Sequence, residues 1–235
     1  RIIEEPIPGG IVSPKGKLIY IIALVIGIGI PISIIYLLNL LRFRIEGHTD
    51  VEKLTTVPII GDIPLTDAGK NGTPTIAVRE NDNNIMAETF RSLRTNLLFI
   101  MGDPDKKVIL VTSTISGEGK TFMASNLAVS LALLGKKVIL VGLDIRKPGL
   151  NKIFHLSHKE KGITQYLAAP QSTDLHALIQ PSGITSNLDL LLGGPIPPNP
   201  TELLARQSLE DTISTLRKEY DYIVLDTAPI GMVTD

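Results

Sequence analysis

The pattern of apolar and polar positions opens with one long uncharged stretch. Residues Leu18 to Leu41 carry no charged side chain. A helix needs about 20 apolar residues to cross the hydrocarbon core of a membrane, and membrane helices tolerate the proline and two glycines found here. A signal peptide has a shorter apolar region and a small-residue cleavage site, and most buried core helices are shorter than this run. The pattern therefore predicts one transmembrane helix over residues 18–41.

Farther along, a helix pattern precedes a series of short apolar strands. Over Ile85–Met101, apolar residues recur at helical spacing and leave Glu88, Arg91 and Arg94 on a polar side. The apolar stripe consists of Met86, Phe90, Leu93, Leu97 and Met101.

From Val108 onward, apolar strands alternate with helical segments at Lys120–Leu134 and Pro200–Tyr220. The predicted strands are Val108–Val111, Val138–Val141, Leu188–Leu192 and Tyr222–Leu225. Near-continuous runs of β-branched residues and leucine suit strands that are buried on both faces. The alternation predicts an α/β fold with a parallel sheet flanked by helices, preceded by the transmembrane helix.

A glycine-bearing loop joins the first predicted strand to the helix that begins at Lys120. It reads Thr112-Ser-Thr-Ile-Ser-Gly-Glu-Gly-Lys-Thr-Phe122. Glycines let backbone N–H groups turn onto phosphate oxygens, and the helix N-terminus adds partial positive charge. In a P-loop the lysine reaches the β- and γ-phosphates and the next hydroxyl holds Mg²⁺, which makes Lys120 and Thr121 the candidates. One position departs from the pattern G-x-x-x-x-G-K-[ST]: Thr114 stands where the first glycine is expected.

This loop predicts ATP and Mg²⁺ as ligands. The predicted nucleotide-binding residues are Ser116, Gly117, Glu118, Gly119, Lys120, Thr121 and Phe122.

Two aspartates follow later apolar strands. Asp144 comes just after the strand at 138–141, and Asp226 ends the strand at 222–225. The carboxyl ends of parallel strands are the edge at which α/β sheets build ligand sites. An aspartate that ends a strand downstream of a phosphate loop is the expected Mg²⁺ partner, so we predict Thr121 and Asp226 as the metal residues. Either aspartate alone would fit a turn or a helix cap.

Composition limits the function further. The net charge is −1, there is no tryptophan, and aromatic residues make up 4% of the chain. Neither the net charge nor the small number of aromatic residues that could stack on bases therefore indicates nucleic-acid binding. The absence of cysteine excludes disulfides and cysteine-ligated zinc. The chain begins at Arg1 and stops at Asp235, just past a predicted site strand, so we expect a fragment of a longer protein.

The combined motifs resemble the bacterial tyrosine kinases of polysaccharide export. These are Wzc-like autokinases fused to a chain-length-determinant, or polysaccharide co-polymerase, membrane region. The resemblance rests on Ser-Gly-Glu-Gly-Lys-Thr at 116–121, Leu-Asp-Ile-Arg-Lys-Pro at 143–148 and Asp-Tyr-Ile-Val-Leu-Asp-Thr-Ala-Pro at 221–229. The apolar span looks like that family's second transmembrane helix. The Glu88-x-x-Arg91-x-x-Arg94 helix is similar to the one that the family uses in ring assembly. The stretch at 192–204 resembles a different stretch that is characteristic of the family.

The resemblance implies a protein-tyrosine autokinase that regulates exopolysaccharide or capsule polymerisation, chain length and export. Its catalytic residues would be Lys120, Asp144 and Asp226, and its acceptor tyrosines would lie beyond Asp235. The implied partners are further copies of itself in a ring, membrane lipid, the polysaccharide export and polymerisation machinery and a cognate tyrosine phosphatase. The implied location is the bacterial inner membrane.

The orientation of the chain in the membrane follows from the location of ATP in the cell. Lysines and arginines flank the apolar span at both ends, so the positive-inside rule does not decide. Because ATP is cytosolic, we expect residues 1–17 outside the cytoplasm, 42–83 as a juxtamembrane linker and 84–235 as a cytoplasmic P-loop kinase domain.

Two alternatives to a kinase stay open, and a departure from the family keeps one of them open. Much of the family reads Asp-x-Asp-x-Arg in the second motif, and here the first aspartate is replaced by Gly142. The chain could therefore be a nucleotide-binding assembly protein without kinase activity. The other alternative is an ATPase switch like the chromosome-partition and septum-placement ATPases, but those carry a lysine where this chain has Ile115.

Overall fold

The computed structural model describes residues 16–41, 45, 47–64, 75–80, 84–103, 105–156 and 161–232. The chain divides into two compact units, Arg1–Ile59 and Ile60–Asp235. Residues 1–15 of the predicted extracytoplasmic segment and residues 65–74 of the predicted linker lie outside the described residues.

The first unit contains one long apolar helix and one short helix. Helix α1 spans Gly16–Leu40 and continues through Pro31. At 1.5 Å per residue its 25 residues reach about 37 Å, more than the hydrocarbon core of about 30 Å. Its apolar side chains are exposed, and by length and composition it can cross a membrane. The short helix α2 spans His48–Leu54.

The second unit is a five-stranded sheet between two layers of helices. Its strands are β1 (Val108–Val111), β2 (Val138–Gly142), β3 (Ile179–Pro181), β4 (Leu188–Leu191) and β5 (Tyr222–Asp226). The strand order is β1-β5-β2-β4-β3. Strands β1, β5, β2 and β4 run parallel to one another, and β3 pairs antiparallel with β4 at the edge of the sheet. The predicted α/β fold with a parallel sheet is confirmed, and β3 is an addition that sequence analysis did not predict.

The α-helices that the structure describes in this unit are α3 (Ile85–Met101), α4 (Lys120–Ala132), α5 (Leu150–Ile153), α6 (Ile163–Ala168), α7 (Pro200–Leu204) and α8 (Gln207–Glu219). Alternate residues of each central strand enter opposite cores, as the strand repeat of two requires. Leu140 and Val224 pack on the α3–α4 side, whereas Val141 and Ile223 pack on the side of α6 and α8. The predicted helix at Ile85–Met101 is confirmed over its full length.

The predicted helix at Pro200–Tyr220 is wrong in one respect, because it is broken into α7 and α8. Arg206 has an extended backbone at the break, with φ −75° and ψ 150°. Its guanidinium donates to the carbonyl of Ala168, and the Ser208 hydroxyl donates to the carbonyl of Leu167. These bonds satisfy carbonyls at the C-terminal end of α6, which have no partner within that helix.

The compact unit begins earlier than the domain boundary predicted at residue 84. Ile76 and Val78 are buried in the core, and Ile60 and Ile63 pack against it. The amide oxygen of Asn126, in α4, accepts hydrogen bonds from the backbone N–H groups of Ala77 (2.7 Å) and Val78 (3.1 Å). Segments 60–64 and 75–80 of the expected linker therefore belong to the second unit.

Candidate nucleotide site

Three neighbouring strands bring the predicted site residues to one edge of the sheet. The glycine-bearing loop follows β1, Asp144 follows β2, and Asp226 ends β5, which lies between them. The backbone carbonyl of Asp226 accepts N–H groups from Leu143 (2.8 Å) and Asp144 (2.9 Å). These two bonds hold both aspartates at the carboxyl edge, where ligands bind in open α/β sheets.

The backbone of the loop needs glycine at two positions. Gly117 and Gly119 have φ values of +94° and +87°, a region that other residues rarely adopt. His155 is the one non-glycine residue with positive φ in the described part of the chain, so Thr114 has an ordinary negative φ. A threonine in place of the first glycine therefore causes no backbone strain.

The segment after β5 supports the first half of the loop. The N–H groups of Ile230 and Gly231 donate to the carbonyls of Ser113 (2.8 Å) and Thr114 (3.0 Å). A Cβ atom added at Gly231 would lie 2.6 Å from the Thr114 carbonyl oxygen. Gly231 is therefore required for this close approach, and sequence analysis missed it.

A buried ion pair joins the loop to the second carboxylate motif. The Nζ of Lys120 lies 2.9 Å from Oδ2 of Asp144, and their side chains are 10% and 5% exposed. The other oxygen of Asp144 accepts the backbone N–H of Lys147 at 3.1 Å. The ammonium group is thus held beside the loop by a carboxylate that is itself fixed.

A second contact joins the two predicted metal residues. The Thr121 hydroxyl donates to Oδ1 of Asp226 at 3.3 Å. Burial raises the pKa of Asp226 to about 6, and the nearby Asp144 adds to the rise, while the Thr121 hydrogen bond and the Lys120 charge oppose it. A hydroxyl and a carboxylate are the oxygen donors that Mg²⁺ prefers, so this pair fits a divalent cation.

The remaining predicted loop residues differ in their surroundings. Ser116 is exposed. The ring of Phe122 packs edge-on against Phe90 of α3, 5.9 Å between centroids, so it joins the core. Gly149, which sequence analysis also missed, lies beside Thr121: an added Cβ would be 3.3 Å from the Thr121 hydroxyl oxygen. The Pro148-Gly149 pair directly after the second motif was the available signal.

Gly142 lies where much of the resembling family has an aspartate, and its surroundings are closed. A Cβ atom added there would lie 3.0 Å from Cδ1 of Leu150 and 3.1 Å from the backbone nitrogen of Gly193. The second contact is with backbone, which cannot move as a flexible side chain can. Any side chain at this position would therefore need these neighbours to move by a few tenths of an ångström.

The predicted oligomerisation residues do not share one environment. Arg91 pairs with Glu88 on the exposed side of α3. Arg94, predicted on the same polar side, instead turns toward α4, where its guanidinium donates to the Ser130 carbonyl at 2.7 Å. That carbonyl lies in the last turn of α4, where carbonyls lack partners within the helix and attract cations. Burial, with a smaller contribution from Arg91, lowers the pKa of Arg94.

Comparison with known proteins gives consistent relatives. A family profile described as an AAA domain matches residues 106–235. The chain is 38% identical over 152 residues to the tyrosine-protein kinase YwqD of Bacillus subtilis, covering 65% of this chain and 62% of that protein. It is 27% identical to the tyrosine-protein kinase etk of Escherichia coli, covering 99% of this chain and 34% of that protein.

A solved structure is similar over most of the second unit. The BceF tyrosine kinase domain is 30% identical, with a TM-score of 0.70, and the match covers 80% of this chain and 78% of that one. The chain spans about a third of the length of several curated relatives, between 31% and 34%.

Proposed function

The chain belongs to the family of bacterial tyrosine-protein kinases, and we propose that it transfers the γ-phosphoryl group of ATP to tyrosine hydroxyls. One observation carries the proposal. Lys120 and Thr121, at the end of the phosphate loop, each contact an aspartate from a different neighbouring strand, Asp144 and Asp226. This arrangement supports a site for phosphates and a divalent cation at the edge where α/β sheets bind ligands.

The proposed roles follow from the chemistry of each group. Backbone N–H groups of Ser116–Phe122 cradle the phosphates, and Lys120 neutralises their charge. Thr121 and Asp226 hold Mg²⁺, which when bound supplies further charge neutralisation at the phosphate oxygens. Asp144 is fixed beside Lys120 and keeps its ammonium group in position.

Transfer forms a bond from a tyrosine oxygen to the γ-phosphorus and breaks the bond from that phosphorus to ADP. The tyrosine proton passes to solvent water, so the products are phosphotyrosine, ADP and one released proton. A loose transition state depends mainly on positioning and charge neutralisation, so the lack of a carboxylate at Gly142 does not forbid transfer. Tyr220 does not suit the acceptor role: it is buried, its hydroxyl donates to Asp189 at 2.9 Å, and burial raises its pKa.

We further propose a membrane-anchored protein of the bacterial inner membrane, with the second unit, Ile60–Asp235, as its cytoplasmic kinase domain in place of the predicted 84–235. Helix α1 and the similarity to the etk kinase support an anchored protein. By the resemblance, its partners are further copies of itself in a ring, lipid, the machinery that polymerises and exports exopolysaccharide or capsule, and a tyrosine phosphatase.

Cysteine labelling tests the proposed orientation, because the chain has no native cysteine. A cysteine replaces Ser13 in one variant and Thr49 in another. A membrane-impermeant reagent applied to intact cells should label position 13 and leave position 49 unlabelled. Labelling of position 49 alone would reverse the orientation.

A second candidate function is nucleotide binding that sets assembly geometry without phosphoryl transfer. The glycine at position 142 favours it, because the chain lacks there the carboxylate found in much of the resembling family. The products distinguish the two functions: a kinase forms phosphotyrosine, whereas an assembly protein binds ATP and forms none.

Calorimetric titration with ATP and Mg²⁺ tests the site itself. The variant Lys120→Ala should lose binding, because no other cation lies within the loop at 112–122. Lys136→Ala is the matched control, since Lys136 is exposed and precedes β2 at the opposite edge of the sheet. Equal ATP affinity in Lys120→Ala and the parent protein would refute this choice of loop.

A further inference from the structure

The side chain of Glu118 makes contacts that phosphate binding does not explain. Its Oε2 accepts the backbone N–H groups of Thr114 at 2.8 Å and Ile115 at 3.1 Å. Both donors belong to the first half of the phosphate loop, whereas Glu118 lies in the second half between Gly117 and Gly119. The carboxylate thus ties the loop to itself across three and four residues.

The geometry resembles a known local device. In a capping box, a glutamate reaches back to a backbone N–H three residues earlier and satisfies a donor that the helix cannot. Here the positive φ values of Gly117 and Gly119 turn the chain on both sides of Glu118. Carboxylate acceptors form stronger hydrogen bonds to N–H groups than neutral acceptors do.

Other hydrogen bonds hold the same half of the loop. The carbonyls of Ser113 and Thr114 accept the N–H groups of Ile230 and Gly231. The Ser113 hydroxyl also donates to the Ile115 carbonyl at 2.8 Å. Glu118 therefore bonds the N–H groups of this half of the loop, while the segment after β5 bonds its carbonyls.

We propose that Glu118 is a positioning residue that holds the first half of the phosphate loop, so that the following N–H groups are presented to phosphate. The inference rests on the proposed function, because it concerns how the same loop binds nucleotide. A carboxylate would repel phosphate as a direct ligand, so the side chain acts through the backbone of Thr114 and Ile115. Its two hydrogen bonds restrain the backbone of this exposed part of the loop.

Because one oxygen accepts both bonds, a glutamine can reproduce them through its amide oxygen. Glu118→Ala removes the acceptor and should weaken ATP and ADP binding roughly 3- to 10-fold, the effect of losing one or two net hydrogen bonds. Glu118→Gln should lose less affinity than Glu118→Ala, because its amide oxygen keeps both hydrogen bonds as weaker, neutral ones. Calorimetric titration of the full chain with each nucleotide and Mg²⁺ measures both.

Hydrogen exchange supplies a readout that does not depend on nucleotide. The amides of Thr114 and Ile115 should exchange faster in Glu118→Ala than in the parent protein and should stay protected in Glu118→Gln. Glu210→Ala, a change at an exposed glutamate of α8, is the control and should alter neither readout.

The outcomes separate this inference from the proposed function. If the parent protein binds ATP and Lys120→Ala does not, the loop is supported as the nucleotide site, independently of the results at Glu118. Unchanged or tighter binding by Glu118→Ala would then overturn the positioning role, since tighter binding means that charge repulsion dominates. A Glu118→Gln variant as weak as Glu118→Ala would also overturn it, because the acceptor oxygen would not be what matters. Failure of the parent protein to bind ATP would instead contradict the proposed function.

Discussion

At the scale of the residue, burial controls the chemistry of the site carboxylates. Asp226 is 1% exposed, and its pKa is about 6 against an ordinary value of 3.8. Between those values the folded protein holds the proton more tightly than the unfolded chain does. The contribution of Asp226 to the free energy of unfolding is therefore largest below pH 4. It falls as the pH rises to 6 and is constant above pH 6.

The first prediction follows from this pH window. With metal removed by a chelator, Asp226→Asn should be more stable than the parent protein at pH 8, because it removes a buried charge costing about 2–3 kcal/mol. The advantage should disappear at pH 4. Denaturant unfolding across this range measures it, with Asp211→Asn, at an exposed position, as the control. A variant that is less stable than the parent protein at pH 8 would contradict the account.

At the scale of the element, one buried amide links the segment before α3 to the phosphate-loop helix. Asn126 is fully buried, accepts the N–H groups of Ala77 and Val78, and donates to the Phe122 carbonyl at 2.9 Å. Phe122 directly follows the predicted metal residue Thr121. Segment 75–80 is thus fixed to α4 one turn from the site.

The second prediction tests this link. Asn126→Ala should lower the free energy of unfolding by about 2–4 kcal/mol, because it leaves two backbone donors without an acceptor, one of them on buried Val78. Chemical denaturation measures the loss. Asn96→Ala removes one exposed bond, to the Ile60 carbonyl, and should cost less than about 1 kcal/mol. Equal losses of unfolding free energy in the two variants would contradict this account, because the buried amide would then contribute no more than an exposed hydrogen bond.

The same elements explain what sequence analysis could predict. The β1 strand and helix α3 follow local periodicity, and both match their predicted bounds. The break between α7 and α8 was not predictable, because it depends on Arg206 reaching α6. Arg94 likewise turns toward Ser130 because α4 ends beside it, a fact of tertiary packing. The loop, Asp144 and Asp226 were identifiable because their spacing follows from chemistry, while Gly149 and Gly231 matter only through contacts.

At the scale of the whole molecule, the proposed ring depends on the exposed side of α3. Arg91 and Glu88 pair on that side, whereas Arg94 bonds within its own domain. A combined substitution of both arginines would therefore mix assembly with stability, and single variants are needed.

The third prediction separates the two arginines. Arg91→Ala should reduce the oligomer mass in light scattering and cost no more than about 0.5 kcal/mol of stability, the usual value of an ion pair one helical turn apart. Arg94→Ala should lower stability by about 1 kcal/mol, because the Ser130 carbonyl loses a charged donor. Lys218→Ala, at an exposed residue of α8, is the control. If Arg91→Ala keeps its full oligomer mass, the ring is held elsewhere.

The central claim is that this site transfers phosphate to tyrosine, and one mixing experiment tests it most directly. Tagged intact protein carrying Lys120→Ala serves as acceptor, untagged parent protein serves as enzyme, and mass spectrometry measures phosphotyrosine on the tagged chains. Phosphotyrosine should form on the tagged chains only when ATP, Mg²⁺ and the parent protein are all present. The control protein Lys136→Ala, used as enzyme in place of the parent protein, should phosphorylate the tagged chains equally well. ATP binding without any phosphotyrosine, on tagged or untagged chains, would contradict the claim and favour an assembly protein.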